Sequence, residues 1–216
     1  MRQAKIASLN GVKDPMTWGA FIGAGALYVS DGDDRITDAF MQNDWIRVDN
    51  DELYRDLNGL ITYATALLVR DNNWTKKAKR IAVEWSAFAG ARASVDLLNA
   101  TIEKETPAGD AYNAVGSHHA LSPFAGCAMT RRNTAQLDIP LWSKYAIDGI
   151  NYFLAASSAF GRVEQGGHSF ADQLVSIGIG NFIGLFVHDL FMLEPQTSFR
   201  VGRKNGDYLL TVGYRY

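Results

Sequence analysis

Cysteine occurs once in 216 residues, at Cys127 within a run of small apolar residues. No internal disulfide can therefore staple the fold, and the thiol reads as a packed side chain rather than a nucleophile. An excess of basic charge is missing too, because 21 Lys and Arg stand against 23 Asp and Glu for a net charge of −2. With no basic field and no basic-aromatic stripe, nucleic acid is not an expected partner. Met1 to Asp14 carries charges without a following apolar core and small-residue cleavage site, so it does not read as a signal peptide. Thr17 to Val29 is apolar and glycine-rich, opened by Asp14-Pro15 and stopped at Ser30-Asp31-Gly32-Asp33-Asp34, and is short for a bilayer span. Asp31, Asp33 and Asp34 lack the remaining positions and closing glutamate of a calcium loop and read as a solvated capping turn.

What is present is enough apolar material, 47% of residues, for one substantial core. After the first apolar stretch, Ile36 to Asp56 reads as a polar surface helix and loop, and Leu57 to Arg70 as a second apolar helix. Trp74 to Lys104 is a third, with Ile81, Trp85, Phe88, Val95 and Leu98 at roughly helical spacing behind a basic start. Its Gly90, Ala91, Ala93 and Ser94 suggest a face that another helix approaches closely. A fourth helix is expected from His119 to about Thr130, then a polar loop from Arg131 to Pro140, then a fifth helix from Leu141 to Phe160. The sixth, Phe170 to Leu193, has only Asp172, His188 and Asp189 as titratable groups. It suits a membrane span and a buried central helix alike. Beyond it, Ser198 to Tyr216 alternates around Lys204-Asn205-Gly206-Asp207, a hairpin signal that pairs Lys204 with Asp207, Val201 with Leu210 and Phe199 with Val212. The organisation is thus an all-α bundle over residues 1–195 with a β-hairpin over 196–216, the latter suited to packing on the bundle or joining a protein partner's sheet.

Chemistry concentrates in two loops. Gly161-Arg162-Val163-Glu164-Gln165-Gly166-Gly167-His168-Ser169-Phe170-Ala171-Asp172 sets an arginine, a histidine and an aspartate around a glycine turn. A helix starting near His168 would put Asp172 on the same face, and Arg162 offers a planar fork of donors to a phosphate. Upstream, Gly116-Ser117-His118-His119-Ala120 brings a second histidine to the start of another helix.

In order and setting these stretches resemble the type 2 phosphatidic acid phosphatase superfamily. Arg162, His168 and Asp172 match its third motif, with Gly161 in place of serine, and Ser117 and His119 match its second, with Gly116 and His118 for proline and glycine. Of its first motif only the proline is recognisable, at Pro107, with Thr106 in the arginine position and Asn99 in the lysine position. The resemblance implies a six-helix bundle and a phosphatase needing no metal or cofactor. In that chemistry His168 attacks phosphorus, Asp172 holds its other nitrogen, and His119 protonates the leaving alkoxide. Arg162, Ser117 and the backbone near His118 would bind phosphate oxygens at the start of the fourth helix, with Asn99 and Thr106 as neutral remnants of the lost cations. His118, Lys104 or Arg131 would have to compensate for them, while His188 reads as structural. The implied substrate is a phospholipid or isoprenoid phosphate, or a related phosphomonoester or pyrophosphate, at a membrane such as the bacterial inner membrane or its periplasmic face. The other reading is a catalytically impaired relative that serves as a lipid-binding or structural subunit of a membrane assembly.

Overall fold

The computed structural model describes residues 2–43, 50–71, 73–109, 115–193, 196–204 and 207–215, the last two segments as backbone only. The helices are α1 (Arg2–Lys13), α2 (Pro15–Val29), α3 (Gly32–Asn43), α4 (Asp51–Leu68), α5 (Trp74–Thr101), α6 (His118–Gln136), α7 (Leu141–Glu164) and α8 (Phe170–Met192), followed by strands β1 (Gln196–Lys204) and β2 (Asp207–Arg215). The all-helical bundle is as expected, but its helix count is corrected: eight stand among the described residues in place of six. The additional two are α1, where no helix was expected, and α3, which overlaps the expected polar surface helix that stood outside the six. Both bury narrow faces that leave little periodic signal: α1 covers only Ala7 and Gly11, and α3 sets Phe40 against Phe160 and Phe170 at ring separations of 5.9 and 5.4 Å. Strands β1 and β2 pair antiparallel, with Lys204 opposite Asp207, Val201 opposite Leu210 and Phe199 opposite Val212. The Asn205-Gly206 turn lies outside the described residues, as do residues 44–49 of the expected surface loop.

Helix α8 is the axis of the bundle, flanked by α1, α2, α3, α5, α6 and α7. It is long and apolar enough to cross a membrane, at a mean hydropathy of 1.6, yet half of that stretch is buried in the bundle. Its closest neighbour is α6. A Cβ on Gly180 would collide with the Leu121 carbonyl, and one on Gly184 would fall 2.5 Å from the Ala125 oxygen, so the two backbones touch along a small-residue stripe of four-residue period. Ala91 and Val95 of α5 close over Leu121 and Ala125 from the other side, as the small residues of α5 suggest.

Helix α6 also runs further than expected, through the segment that reads as a polar loop. The physical reason is that its polar side chains face inward to partners. Arg131 pairs with Asp14 at 2.7 Å, Arg132 with Asp189 at 2.6 Å, and the fully buried Asn133 donates to Glu84 at 2.6 Å. Arg80 adds bonds to Asp71 and Asn133, and burial pushes the Glu84 carboxyl up to about 7. Asn58, Thr62, Thr65, Thr130 and Asn151 continue this polar interior, while Trp18, Phe21 and Ile22 of α2 and Trp142, Tyr145 and Phe153 of α7 are exposed.

If backbone contact between α6 and α8 holds the bundle, Gly180→Ala should cost about 1–3 kcal/mol through overpacking. For a chain of this length that lowers Tm by roughly 2–4 °C per kcal/mol. Gly149→Ala on α7, where an added Cβ meets nothing within 4 Å, should be neutral or gain about 0.5–1 kcal/mol. Thermal unfolding of the two variants side by side checks both signs.

Candidate active site

The second-motif histidines begin α6. Ser117 is its N-cap residue but does not cap through its side chain. Instead its backbone N–H donates to Ser176 Oγ at 3.1 Å, and its own Oγ, fully buried, has no hydrogen-bond partner among the described residues. The loop before it is clamped by Asn99, whose Oδ1 accepts the Gly116 N–H at 2.8 Å while its Nδ2 donates to the Gly116 carbonyl at 3.2 Å. The amide expected to meet phosphate is thus committed to holding the Ser117 loop. Thr106 is nearly buried and its carbonyl takes the Gly109 N–H in a tight turn. That turn touches the third-motif loop through Ala108 N–H to the Gly166 carbonyl, 3.1 Å.

Arg162 sits in the last turn of α7 rather than in a loop. Gly166, at φ +71°, supplies the left-handed residue that ends the helix, and the bonds Gly166 N–H to Val163 and Gly167 N–H to Arg162 close it. The same turn lays the Arg162 guanidinium against Gly167, where a Cβ would meet Nη2 at 3.2 Å. Nη1 donates to Gln165 at 2.7 Å, and Nε, also without a hydrogen bond, lies 3.6 Å from Asp51 Oδ2.

Asp51 is the residue that sequence reasoning missed. It is buried at the first turn of α4, where Asn50 takes the capping role by accepting the Leu53 N–H. Nothing local marks an acidic residue at a helix start as more than a complement to the helix dipole. Yet His119 Nδ1 lies 3.2 Å from the same Oδ2 that faces Arg162, with Ser158 Oγ at 3.4 Å from the ring. Second-motif histidine and third-motif arginine, far apart in sequence, therefore meet at one carboxylate.

His168 is buried, one residue before the N-cap of α8. The helix begins later than a shared face for His168 and Asp172 requires, because Ser169 takes the cap by accepting the Asp172 N–H. Asp172 itself is fully buried and accepts hydrogen bonds from Tyr28, from Lys104 at 2.6 Å and from Ser169 Oγ at 2.7 Å. Burial, with the Asp172 bond adding to it, raises the Tyr28 hydroxyl above its ordinary range and keeps it a donor. Asp33 accepts the Ala171 N–H at 2.7 Å and Thr37 the Phe170 N–H at 3.0 Å, so Asp33 caps α8 from inside while Asp31 and Asp34 of the same turn are exposed. Of the cations considered as substitutes, Lys104 reaches the third motif, while Arg131 is tied to Asp14. His188 lies at the far end of α8 beside Asp189, in keeping with a structural role.

His118 opens a groove of about 820 Å³ between α4, α5 and α6, together with His119, Arg55, Arg92, Tyr63 and Trp85. Among the described residues no group of three His, Cys, Asp or Glu side chains is arranged to hold a metal ion. No protein-family model, curated protein or solved structure matches the chain.

Burial holds the His119 imidazole down to about 4 from an ordinary 6.5; Asp51 opposes the shift, and Arg162, Arg55 and His168 add to it. A neutral ring is thus the resting state. Between those two values the unfolded chain binds a proton that the folded chain does not, so stability rises with pH through about 4 to 6.5 and the contribution is complete above. Glu84, raised to about 7, acts in the opposite sense over the same window, so the His119 contribution is read by comparison: from pH 5 to pH 7 the parent should gain more stability, or lose less, than His119→Gln in denaturant unfolding.

Proposed function

We propose that the chain is a phosphoric ester hydrolase that releases phosphate from a lipid phosphate, or a related phosphomonoester or pyrophosphate, through a phosphohistidine at His168. The observation that carries this reading is the convergence of His119 and Arg162 on Asp51, at 3.2 and 3.6 Å, with an unpartnered Ser117 hydroxyl two residues before His119 at the start of α6. A general acid, a planar cation and a free hydroxyl donor at the start of a helix make a set that a phosphoryl group can use.

In this mechanism the phosphoryl oxygens lie against Arg162 and Ser117. His168 forms a bond to phosphorus as the ester P–O bond breaks, and His119 gives its proton to the departing alkoxide. Water then attacks the phosphohistidine and passes a proton to His119, so phosphate leaves with both histidines restored. His119 is neutral at rest, and a phosphate dianion beside it supplies the negative charge that raises its proton affinity for the first step. Asp51 Oδ2 and Ser158 Oγ flank Nδ1, at 3.2 and 3.4 Å, which leaves Nε2 to face the leaving group. Membrane association belongs to the same proposal. It is supported by the large apolar side chains exposed on α2 and α7, by the polar and small residues kept inside, and by the apolar length of α8.

A specific observation favours the other reading, a catalytically impaired relative that binds lipid or serves as a structural subunit. Asn99 is committed to the Gly116 backbone, and Asp172 is held by Tyr28, Lys104 and Ser169. Phosphate release without added metal, across lipid and soluble phosphates, separates the two. Turnover in the parent and none in His168→Ala supports the hydrolase, and Asp51→Asn should then lower kcat by roughly a hundredfold through loss of an aligned general acid. No turnover of any substrate by folded parent protein sinks the hydrolase and leaves the binding subunit.

A further inference from the structure

The groove beside the candidate site has two unlike ends. Arg55 and Arg92 stand with His118 and His119 on its lining, Leu60, Tyr63, Trp85, Phe88 and Pro123 give much of its apolar wall, and Asp56, Asn58 and Ser122 line it too. Arg55 comes from α4, one turn after Asp51, and Arg92 from α5, two turns before Asn99. Arg55 is bonded to its neighbour Asp56 at 3.1 Å in an exposed pair, which costs little to exchange for a ligand. Arg92 has no carboxylate within ion-pair distance among the described residues, and His118 Nε2 is 3.9 Å from Asp96, too far for a hydrogen bond. Both arginines lower the proton affinity of His118, and Arg55 that of His119 as well, as cations close to the two rings would.

A groove of about 820 Å³ lies within the size range of small-molecule sites and is far larger than an inorganic anion needs. Its aromatic wall offers nothing to an ion, and its arginines nothing to a neutral hydrocarbon. We propose that Arg55 and Arg92 hold the anionic headgroup of an amphiphile whose apolar chain lies along Tyr63, Trp85 and Phe88, supplying from α4 and α5 the cationic charge that Asn99 and Thr106 do not. The proposal deepens the hydrolase reading by naming the residues that select its substrate, and it stands as a binding site without that reading. Guanidinium groups suit the task because they stay charged and can offer two parallel donors to one oxyanion.

The test is calorimetric titration of the full chain with octyl phosphate below its micelle concentration, with inorganic phosphate and with uncharged octyl glucoside. The parent should bind octyl phosphate more tightly than either of the others. Arg55→Gln with Arg92→Gln should weaken octyl phosphate by at least about tenfold. Trp85→Ala should weaken octyl phosphate but not inorganic phosphate. All three side chains are at least partly exposed, so the variants should fold, and circular dichroism checks that they do. The proposal is overturned if the double variant binds octyl phosphate as the parent does, if octyl glucoside binds equally well, or if the parent binds none of the three. Binding without any phosphate release sinks the hydrolase and keeps the groove; phosphate release undiminished in the double variant does the reverse.

Discussion

Everything in the candidate site hangs on the direct backbone contact between α6 and α8. Gly180 and Gly184 let the Leu121 and Ala125 carbonyls approach to distances that no side chain on α8 would tolerate. That contact fixes the start of α6, where Ser117, His118 and His119 sit, against Ser176 on the same face of α8. Two further elements are then positioned from either side. Helix α4 packs on α6 and α7 and brings Asp51 to His119, and the turn ending α7 brings Arg162 to the same carboxylate. Small residues at the axis thus act at a distance: they contribute no chemistry, but they set the separation of the groups that do.

Asp51 is one carboxylate facing an arginine and a histidine, and desolvation keeps that histidine neutral. Three polar atoms there, Asp51 Oδ2, Ser117 Oγ and Arg162 Nε, are buried without a hydrogen bond among the described residues. Buried unpaired polar atoms are costly, commonly about 1–3 kcal/mol each. A phosphoryl oxygen can accept from Arg162 Nε and from Ser117 Oγ, whereas Asp51 Oδ2 can only accept and is faced by Arg162 at 3.6 Å and His119 at 3.2 Å.

The parts of this arrangement that were legible in the sequence are those with a local cause. Apolar runs with capping residues mark α2, α5, α7 and α8, although α7 runs past the expected end at Phe160 to Glu164 and carries Arg162 in its last turn. What escaped was non-local. Helix α1 buries a face too narrow to stand out in a window, and the C-terminal part of α6 looks like a loop because its arginines and asparagine are satisfied by Asp14 just before α2, Asp189 on α8 and Glu84 on α5. Asp51, Arg55 and Arg92 carry no motif and acquire meaning only when α4 and α5 fold beside His118 and His119.

Lys104 shows why a nearby cation is not automatically a replacement for a lost one. It lies five residues beyond Asn99 in sequence, and its ammonium reaches Asp172 at 2.6 Å and lies over the Tyr28 ring at 5.1 Å, with Asp33 at 3.9 Å. Two carboxylates and an aromatic face already balance that single charge, so moving it to a phosphate would strand the fully buried Asp172. Removing one partner of a buried charge costs more than an exposed pair is worth. Arg55 is under no such obligation, since its partner Asp56 is exposed to water, and Arg92 is itself at the surface. On energetic grounds the charge that meets a ligand should therefore come from the rim of the groove, while Lys104 keeps the start of α8 in place.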